Sequence, residues 1–207
     1  MMKVEKHIRE GLAHYRIECK ETVLKSLLFY MEELMRWNKK INLTGIRDME
    51  RAIQELLYDA FFLKGQIQND HSILDLGSGA GILAIPLSIM DENANIFSID
   101  KSLRKIQFQR HIKRALRLDR CTPIHGRAEE IASIGVDSLV VKAFGNIPEI
   151  LEKGGIHIRP GGRALVLKGE KEKPVEHQGF VLEDRIGYEL PVISKSYTLF
   201  IYKKVSY

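Results

Sequence analysis

A glycine-rich turn between two apolar runs constrains the fold of this chain more than any other feature. Residues 73–89 read ILDLGSGAGILAIPLSI, with glycines at positions 77, 79 and 81. A strand that ends in such a turn and leads into a helix brings bare backbone N–H groups close to a ligand. The segment therefore predicts a strand, a ligand-binding loop and a helix, and it leaves the identity of the ligand open.

Short β-rich runs alternate with helical segments from residue 71 onwards. The predicted strands are residues 72–76, 95–100, 121–126, 137–144 and 163–169. Alternation of this kind is typical of right-handed βαβ units and a mostly parallel sheet. Two further β-like runs, residues 179–186 and 197–204, follow without a long helix between them and predict an antiparallel hairpin at the sheet edge.

The first 70 residues have helical periodicity instead. Apolar residues recur on one helical face between Val23 and Met35, a turn follows at 36–48, and Asp48 is expected to cap a helix over 49–63. We therefore expect a helical N-terminal cap over residues 1–70 and a Rossmann-like domain over residues 71–207.

Composition excludes several classes of protein. No apolar run approaches the roughly 18 to 20 residues that cross a bilayer, and the N-terminus lacks the apolar stretch of a secretory signal. We therefore expect a cytoplasmic protein that contacts no membrane. Cys19 and Cys121 are the only cysteines and lie outside any C-x-x-C spacing, so the sequence predicts neither a disulfide nor a metal site.

Dinucleotides and S-adenosylmethionine both bind to glycine loops, and the glycine spacing separates the two. Dinucleotide binding requires G-x-G-x-x-G, whereas here Gly81 comes one residue early and Ile82 stands at the third glycine position. Asp75, two residues before Gly77, would repel a pyrophosphate but could attract a cationic amine. The loop therefore favours S-adenosylmethionine, which carries an ammonium, a sulfonium and no phosphate.

Residues after the next two predicted strands extend this interpretation. Asp100 ends the second strand, 19 residues after Gly81, where a carboxylate can accept hydrogen bonds from two ribose hydroxyls. Ala128 and Glu129 follow the third strand and are expected beside the adenine ring. Each residue also has a structural interpretation as a cap or a turn, but their combined spacing favours a cofactor site.

The segment after Asp100 is the most basic part of the chain. Residues 101–130 carry nine lysines and arginines against three acidic residues, and residues 101–118 contain no acid. At about 100° per residue, a helix here has an apolar arc and a basic arc. The apolar arc holds Phe108, Ile112, Ala115 and Leu116, and the basic arc holds Arg110, Lys113, Arg114 and Arg117. With Lys101, these cations either keep the outer face in water or bind the phosphates of RNA.

Motifs for a strong general base or a cysteine nucleophile are missing from the sequence. Residues 144–150 read FGNIPEI instead of the D/N-P-P-Y/F of adenine amine methylation, and no Pro-Cys pair could supply a thiolate for cytosine C5 methylation. A guanine N7 fits such a site, since its lone pair accepts a methyl group without first losing a proton and needs mainly alignment. The sequence identifies no catalytic residue.

Four segments resemble the bacterial ribosomal RNA small-subunit methyltransferase G family, formerly called glucose-inhibited division protein B. They are LMRWNKKINLTGIRD at 34–48, the glycine segment at 73–89, Asp100 with SLRKIQF at 102–108, and GRAEEI at 126–131. The resemblance implies a class I S-adenosylmethionine-dependent methyltransferase, an α/β protein with a helical N-terminal extension. It implies that the protein methylates guanine N7 in small-subunit (16S) rRNA and that its partner is ribosomal RNA or the small ribosomal subunit.

The resemblance also assigns residues. It implies cofactor contacts at Gly77, Ile82, Ala128, Glu129 and Lys142, with Lys142 near the acceptor, in a protein that we expect to be a monomer. Three departures from the family surround this site. Leu56 and Ala60 stand where the family has His and Ser around Asp59, Lys142 stands for an Arg, and the G-F-P-G-I-P-L run reads GILAIPL at 81–87.

Two other functions stay open on the sequence alone. One is a methyltransferase of the same fold that acts on a small molecule. The other is a non-catalytic RNA-binding or ribosome-assembly protein that kept the fold after losing activity.

Overall fold

The computed structural model of the chain describes residues 2–67, 69–191 and 195–205. Its α-helices are α1 (Met2–His14), α2 (Glu21–Asn38), α3 (Met49–Ala52), α4 (Tyr58–Gln66), α5 (Ala84–Met90), α6 (Leu103–Leu116) and α7 (Ile147–Gly155). A π-helical segment, Ile53–Leu57, joins α3 to α4, and a 3₁₀ turn spans Ala128–Glu130. The strands are β1 (Ser72–Leu76), β2 (Asn95–Asp100), β3 (Cys121–His125), β4 (Val136–Lys142), β5 (Ile158–Gly169), β6 (Phe180–Leu190) and β7 (Lys195–Lys204).

The strands form one sheet in the order β3-β2-β1-β4-β5-β7-β6. The first five of these run parallel to one another, whereas β7 lies antiparallel between β5 and β6. This arrangement confirms the predicted parallel sheet with an antiparallel hairpin at its edge. Because β1 lies between β2 and β4, the carboxyl ends of these three strands meet at the middle of one sheet edge.

The strands from β3 onwards differ from their predicted ranges by one to five residues at one end or both, and two of these differences have a clear structural reason. β4 ends at Lys142 instead of residue 144, because Ala143 has a left-handed φ of 55° that turns the chain out of the sheet. β5 begins at Ile158 instead of residue 163, because Ile158 pairs with Val136 ahead of an irregularity in the pairing of β4 with β5. The sequence at this added start of β5 lacks the alternation of a regular strand, and the prediction therefore missed it. The earlier strands β1 and β2 coincide with their predicted ranges.

The N-terminal helices form as their apolar spacing predicts. Within α2, one buried face holds Leu24, Leu27, Tyr30, Met31 and Leu34. The Asp48 side chain accepts a hydrogen bond from the Arg51 N–H at 2.8 Å, which confirms the predicted helix cap. The helix predicted over 49–63 is wrong in two respects, since the π-helical segment interrupts its regular turns and α4 continues to Gln66.

Two cores lie on opposite faces of the sheet. Along β1, Ile73 packs into the core that includes α1, α2 and α4, whereas Leu74 and Leu76 pack into the core that includes α7. This alternation follows from the period of two residues of a strand. In the described part of the chain, no helix has both the length and the apolar character that crossing a bilayer requires.

Candidate active site

The glycine loop begins where β1 ends and turns back beside β2. Gly77, Gly79 and Gly81 have positive φ angles of 68°, 58° and 73°, which residues with a Cβ rarely adopt. The Gly77 and Ser78 N–H groups donate to the Ile99 carbonyl oxygen at 2.9 and 3.0 Å. A Cβ at Gly77 would lie 2.5 Å from Phe144 Cδ2, so this ring can approach the loop only because position 77 is glycine.

Asp100 joins the loop to the end of β2. Its Oδ2 accepts a hydrogen bond from the Gly79 N–H at 2.8 Å, and its Oδ1 accepts one from the Ser102 N–H at 2.8 Å. The carboxylate is partly exposed. The structure therefore brings Asp100 and the glycines together, and both carboxylate oxygens keep lone pairs for a ligand.

Asp75 lies beneath the same loop and is only 2% exposed. Its Oδ2 accepts a hydrogen bond from the N–H of Ala84, the first residue of α5, at 3.0 Å. Burial, with a smaller contribution from the charge of Asp100, raises the pKa of the Asp75 carboxyl to about 7, although the hydrogen bonds from the Ala84 and Leu83 N–H groups act to lower it. The structure gives this carboxylate a helix-capping role, and its attraction for a ligand amine stays a prediction.

A polar network supports the loop from behind. The Gln109 Nε2 of α6 donates to Ser78 Oγ and to the Gly79 carbonyl oxygen, both at 2.8 Å, and Ser98 Oγ donates to Gln109 Oε1 at 2.6 Å. From α2, the Tyr30 hydroxyl donates to the Ala80 carbonyl oxygen at 3.3 Å. Sequence reasoning missed Gln109, although a polar residue beside Phe108 on the sheet-facing side of α6 is a signal for it.

The residues assigned to the adenosine follow β3. Ala128 is 5% exposed, and its carbonyl oxygen accepts a hydrogen bond from His157 Nε2 at 3.0 Å. Glu129 is exposed, with Oε1 3.7 Å from Arg127 Nη1. The Gly126 N–H donates to the Asp100 backbone oxygen at 3.2 Å, which ties this segment to the end of β2.

Lys142 ends β4 within a mostly buried polar network. Its Nζ donates to the Glu55 carbonyl oxygen in the π-helical segment at 2.6 Å and forms an ion pair with Asp59. Asp59 is completely buried, and its Oδ1 accepts a hydrogen bond from the Tyr188 hydroxyl of β6 at 2.6 Å. The family resemblance implies that Lys142 lies near the acceptor, which stays a prediction, and no sequence pattern indicates Tyr188.

Leu56 and Ala60, which stand where the family has His and Ser, lie on either side of Asp59 in the chain. Leu56 is 6% exposed and Ala60 is fully buried, so both pack as apolar core residues. The neighbouring Glu55 carboxylate binds Lys195 at 2.8 Å and Arg51 at 2.5 Å. Burial raises the pKa of Glu55, but the hydrogen bonds from Lys195 and Arg51 outweigh burial and lower it.

Two further side chains reach the loop without having been predicted. Phe144 packs on Gly77, and Lys105 Nζ is 3.9 Å from the position of a Cβ at Gly79. Phe144 follows the left-handed Ala143, and Lys105 lies in the first turn of α6. Ile82 is partly buried at the far end of the loop.

The basic arc predicted for residues 101–118 is confirmed in part. Arg110 and Arg114 are exposed on α6, and neither forms an ion pair with a described residue. Lys113 is partly buried, Lys101 precedes the helix, and Arg117 follows it with a left-handed φ of 53°. The predicted position of Ala115 on the apolar arc is wrong, because Ala115 is exposed in the last turn and Ile106 is buried instead.

Comparison with known proteins identifies a family. The profile of rRNA small subunit methyltransferase G matches residues 23–179. The chain is 28% identical to "Ribosomal RNA small subunit methyltransferase G" of Syntrophotalea carbinolica, with 97% of this chain and 98% of that protein covered. It is 33% identical to the protein of the same name from Geobacter sp. strain M21, with 78% and 76% covered.

Solved structures agree on the fold. The chain superposes with a TM-score of 0.53 on the S-adenosylmethionine-dependent methyltransferase from Thiobacillus denitrificans, which was solved in complex with S-adenosyl-L-homocysteine. The two chains are 13% identical, and the match covers 70% of this chain and 90% of the other. At this identity the match shows the fold alone, and it confirms the predicted class I methyltransferase architecture.

Proposed function

Because the chain belongs to the rRNA small subunit methyltransferase G family, we propose how its residues perform that family's reaction. The protein is an S-adenosylmethionine-dependent enzyme that methylates guanine N7 in small-subunit (16S) rRNA. We further propose that it works as a monomer in the cytoplasm, which sedimentation and cell fractionation test.

The glycine loop fits the cofactor. Its three left-handed glycines expose backbone where side chains would intrude, and the nearest atom to a Cβ at Gly79 is Lys105 Nζ at 3.9 Å. In this proposal the two Asp100 oxygens hold the ribose hydroxyls, and Ala128 and Glu129 hold the adenosine. Asp75, Gly77, Gly79, Gly81 and Ile82 hold the methionine end, for which a carboxylate beneath the loop supplies a charge opposite to the ammonium.

When bound, the cofactor supplies an electrophilic methyl group on a sulfonium, which a guanine N7 lone pair can take without losing a proton. The chain therefore needs no strong general base, and its contribution is alignment. Lys142 is suited to positioning because Glu55 and Asp59 fix its ammonium at the end of β4, beside β1. Phe144 packs on Gly77 and adds an apolar surface at this side of the loop.

The basic residues around α6 are proposed to bind the rRNA backbone. Arg110 and Arg114 face solvent without an acidic partner among the described residues, and Lys101, Lys113 and Arg117 add positive charge along the same element. Neutralising phosphates releases counterions, so the affinity for RNA should fall steeply with salt. A substrate without phosphates would give an affinity that does not depend on salt.

One observation carries the assignment of residues to the cofactor, namely the hydrogen bond between Asp100 and the Gly79 N–H at the meeting point of β1 and β2. Calorimetric titration of the wild type and of Asp100→Ala with S-adenosylhomocysteine tests it. We expect binding by the wild type and a loss of at least about tenfold in the variant, equivalent to roughly 1.4 kcal/mol. Arg114→Ala, on the outer face of α6, is the matched control and should bind normally.

Two results would contradict this proposal. One is tight binding of NAD with no response to S-adenosylhomocysteine. The other comes from mapping N7-methylguanosine in small-subunit rRNA after deletion of the gene. The modification should disappear and return with the wild-type gene but not with the Asp100→Ala gene, and an unchanged map would exclude rRNA as the substrate.

A further inference from the structure

Trp37, the only tryptophan of the chain, lies near the end of α2 against α6. Its ring centroid is 5.1 Å from that of His111, with an interplanar angle of 32°, and 5.5 Å from that of Phe108, with an angle of 61°. The two rings support the indole from the α6 side. The indole is nevertheless only partly buried, which leaves part of it open to solvent.

The hydrogen bonds of the turn after Trp37 do not involve its partly exposed ring. Asn38 organises the turn, since its Oδ1 accepts hydrogen bonds from the Leu43 and Thr44 N–H groups at 2.8 and 3.0 Å. Its Nδ2 donates to the Ile46 carbonyl oxygen at 3.0 Å. The indole itself packs with its buried part against the N-terminal core and keeps its remaining surface in solvent.

A small open pocket lies over Trp37. Its volume is about 320 Å³, and it is lined by Arg36, Trp37, Lys40 and Ile41. Trp37 and Ile41 give it an apolar floor, while Arg36 and Lys40 are exposed cations at its rim. An aromatic face bordered by cations is the arrangement on which proteins stack single-stranded bases.

The pocket adjoins the basic face of α6. His111, which packs on Trp37, is next to Arg110 and one helical turn from Arg114. Glu33 is the acidic group here, and it contacts both His111 Nε2 at 2.6 Å and Arg36. Lys40, Arg110 and Arg114 have no acidic partner among the described residues, so the surface around the indole is complementary to a polyanion.

We propose that this pocket binds one unpaired nucleobase of the RNA by stacking on Trp37, while Arg36 and Lys40 contact the flanking phosphates. The inference rests on the proposed function, because it requires that RNA approaches the face of the protein that carries α6. It adds a base-recognition site on α2 to a surface that otherwise holds phosphates.

The fluorescence of Trp37 reports directly on this site, because no other tryptophan contributes. Titration of the wild-type protein with single-stranded oligoadenylate should quench the emission. Inorganic polyphosphate of matched charge should bind without comparable quenching, because it has no base to stack. Equal quenching by both, or none by oligoadenylate, would overturn the proposal, and the second result would leave a protein partner as the occupant.

Two variants test the ring itself. Trp37→Leu should weaken oligoadenylate binding about 5- to 150-fold, the range for loss of one stacked base, whereas Trp37→Phe should retain most of the affinity. S-adenosylhomocysteine binding should be the same in both and verifies folding. If Trp37→Leu and wild type bind RNA equally, no base stacks there.

Absence of N7-methylguanosine formation by the wild type would instead refute the proposed function and leave the quenching result standing.

Discussion

Asp75 and Asp100 lie at the same edge of the sheet in different surroundings. Asp100 is partly exposed and accepts two backbone hydrogen bonds, whereas Asp75 is buried and accepts one from Ala84. Burial therefore penalises the charge of Asp75 and raises its pKa to about 7. A cationic ligand above the loop would favour the charged form, so cofactor binding and ionisation of Asp75 should be coupled.

Asp75→Asn should change how stability depends on pH. The folded-state pKa of about 7 lies above the ordinary value of 3.8, so the contribution of Asp75 to stability is complete below about pH 4 and is lost as pH rises through 7. Asparagine can still accept the Ala84 N–H without carrying a charge. Urea unfolding at pH 8 should therefore give a variant more stable than the wild type by on the order of 2–4 kcal/mol, with little difference at pH 4.

The same variant should bind the cofactor less tightly. Wild-type affinity for S-adenosylhomocysteine should increase as pH rises through 7, because the carboxylate forms beneath the ligand ammonium. Asp75→Asn should show weak affinity without this rise. Glu152→Gln, a change at an exposed residue, serves as the control. Parallel pH profiles for Asp75→Asn and the control would refute the role of Asp75.

The free energy of unfolding should fall when any partner in the network of Lys142, Asp59 and Tyr188 is lost. Tyr188→Phe removes the hydroxyl that donates to Asp59 at 2.6 Å and should cost about 1–3 kcal/mol of unfolding free energy. Asp59→Asn leaves the Lys142 ammonium without its counter-charge and should cost about 3–5 kcal/mol. The control is Tyr197→Phe, whose hydroxyl has no hydrogen bond to a described residue. Equal stability of Tyr188→Phe and this control would contradict the network.

Sequence spacing predicts one part of the site better than the other. Gly77, Gly79 and Asp100 could be placed together because consecutive parallel strands end at the same sheet edge. The bond from Tyr188 to Asp59 spans 129 residues and that from Lys142 to Glu55 spans 87. No periodicity connects residues so far apart, since only the order of strands and the packing of the N-terminal helices bring them together.

At the scale of elements, the π-helical segment has no signal in the sequence, whereas strands β1 and β2 do. Strands β1 and β2 have short apolar runs with turn residues on both sides, which fix their ends. The run from α3 to α4 has continuous helical composition, and nothing in it marks the wider turn at Ile53–Leu57. That turn presents the Glu55 carbonyl oxygen to Lys142, in keeping with the frequent occurrence of π-bulges at functional sites.

Close packing of α7 on the sheet depends on a glycine. A Cβ at Gly154 would lie 2.6 Å from Leu139 Cδ2 and 2.9 Å from Leu76 Cδ2. Gly154→Ala should therefore push α7 from the sheet and lower the unfolding free energy by about 1–3 kcal/mol. Gly65→Ala in α4 is the matched control, since nothing lies within 4 Å of its Cβ position. Denaturant unfolding should find the control unchanged or stabilised by up to about 1 kcal/mol, and equal effects of both variants would contradict the close approach.

At the scale of the molecule, the N-terminal helices and the sheet share a core. Ile8, Leu27 and Leu34 belong to the same buried cluster as Ile73 and Val140. Polar contacts join the two parts as well, since Tyr30 bonds to Ala80 of the glycine loop and Asp59 binds Lys142 of β4. The division into a helical cap over 1–70 and a methyltransferase domain over 71–207 stays a proposal, and these contacts favour a cap that does not unfold independently.

Unfolding should therefore be a single transition that the cofactor displaces as a whole. Trp37 fluorescence follows the N-terminal helices, and far-ultraviolet circular dichroism follows the entire backbone, so the two thermal curves should coincide. S-adenosylhomocysteine at about 100 times its dissociation constant should add about 2.7 kcal/mol and raise both midpoints by about 5–10 °C. Asp100→Ala should unfold in one step with at most about half of that shift, because a tenfold weaker affinity leaves about 1.4 kcal/mol of stabilisation at the same ligand concentration. If the fluorescence midpoint moved less than the dichroism midpoint, the helices would be uncoupled from the cofactor site, and the contacts of Tyr30 and Asp59 would not transmit binding to the cap.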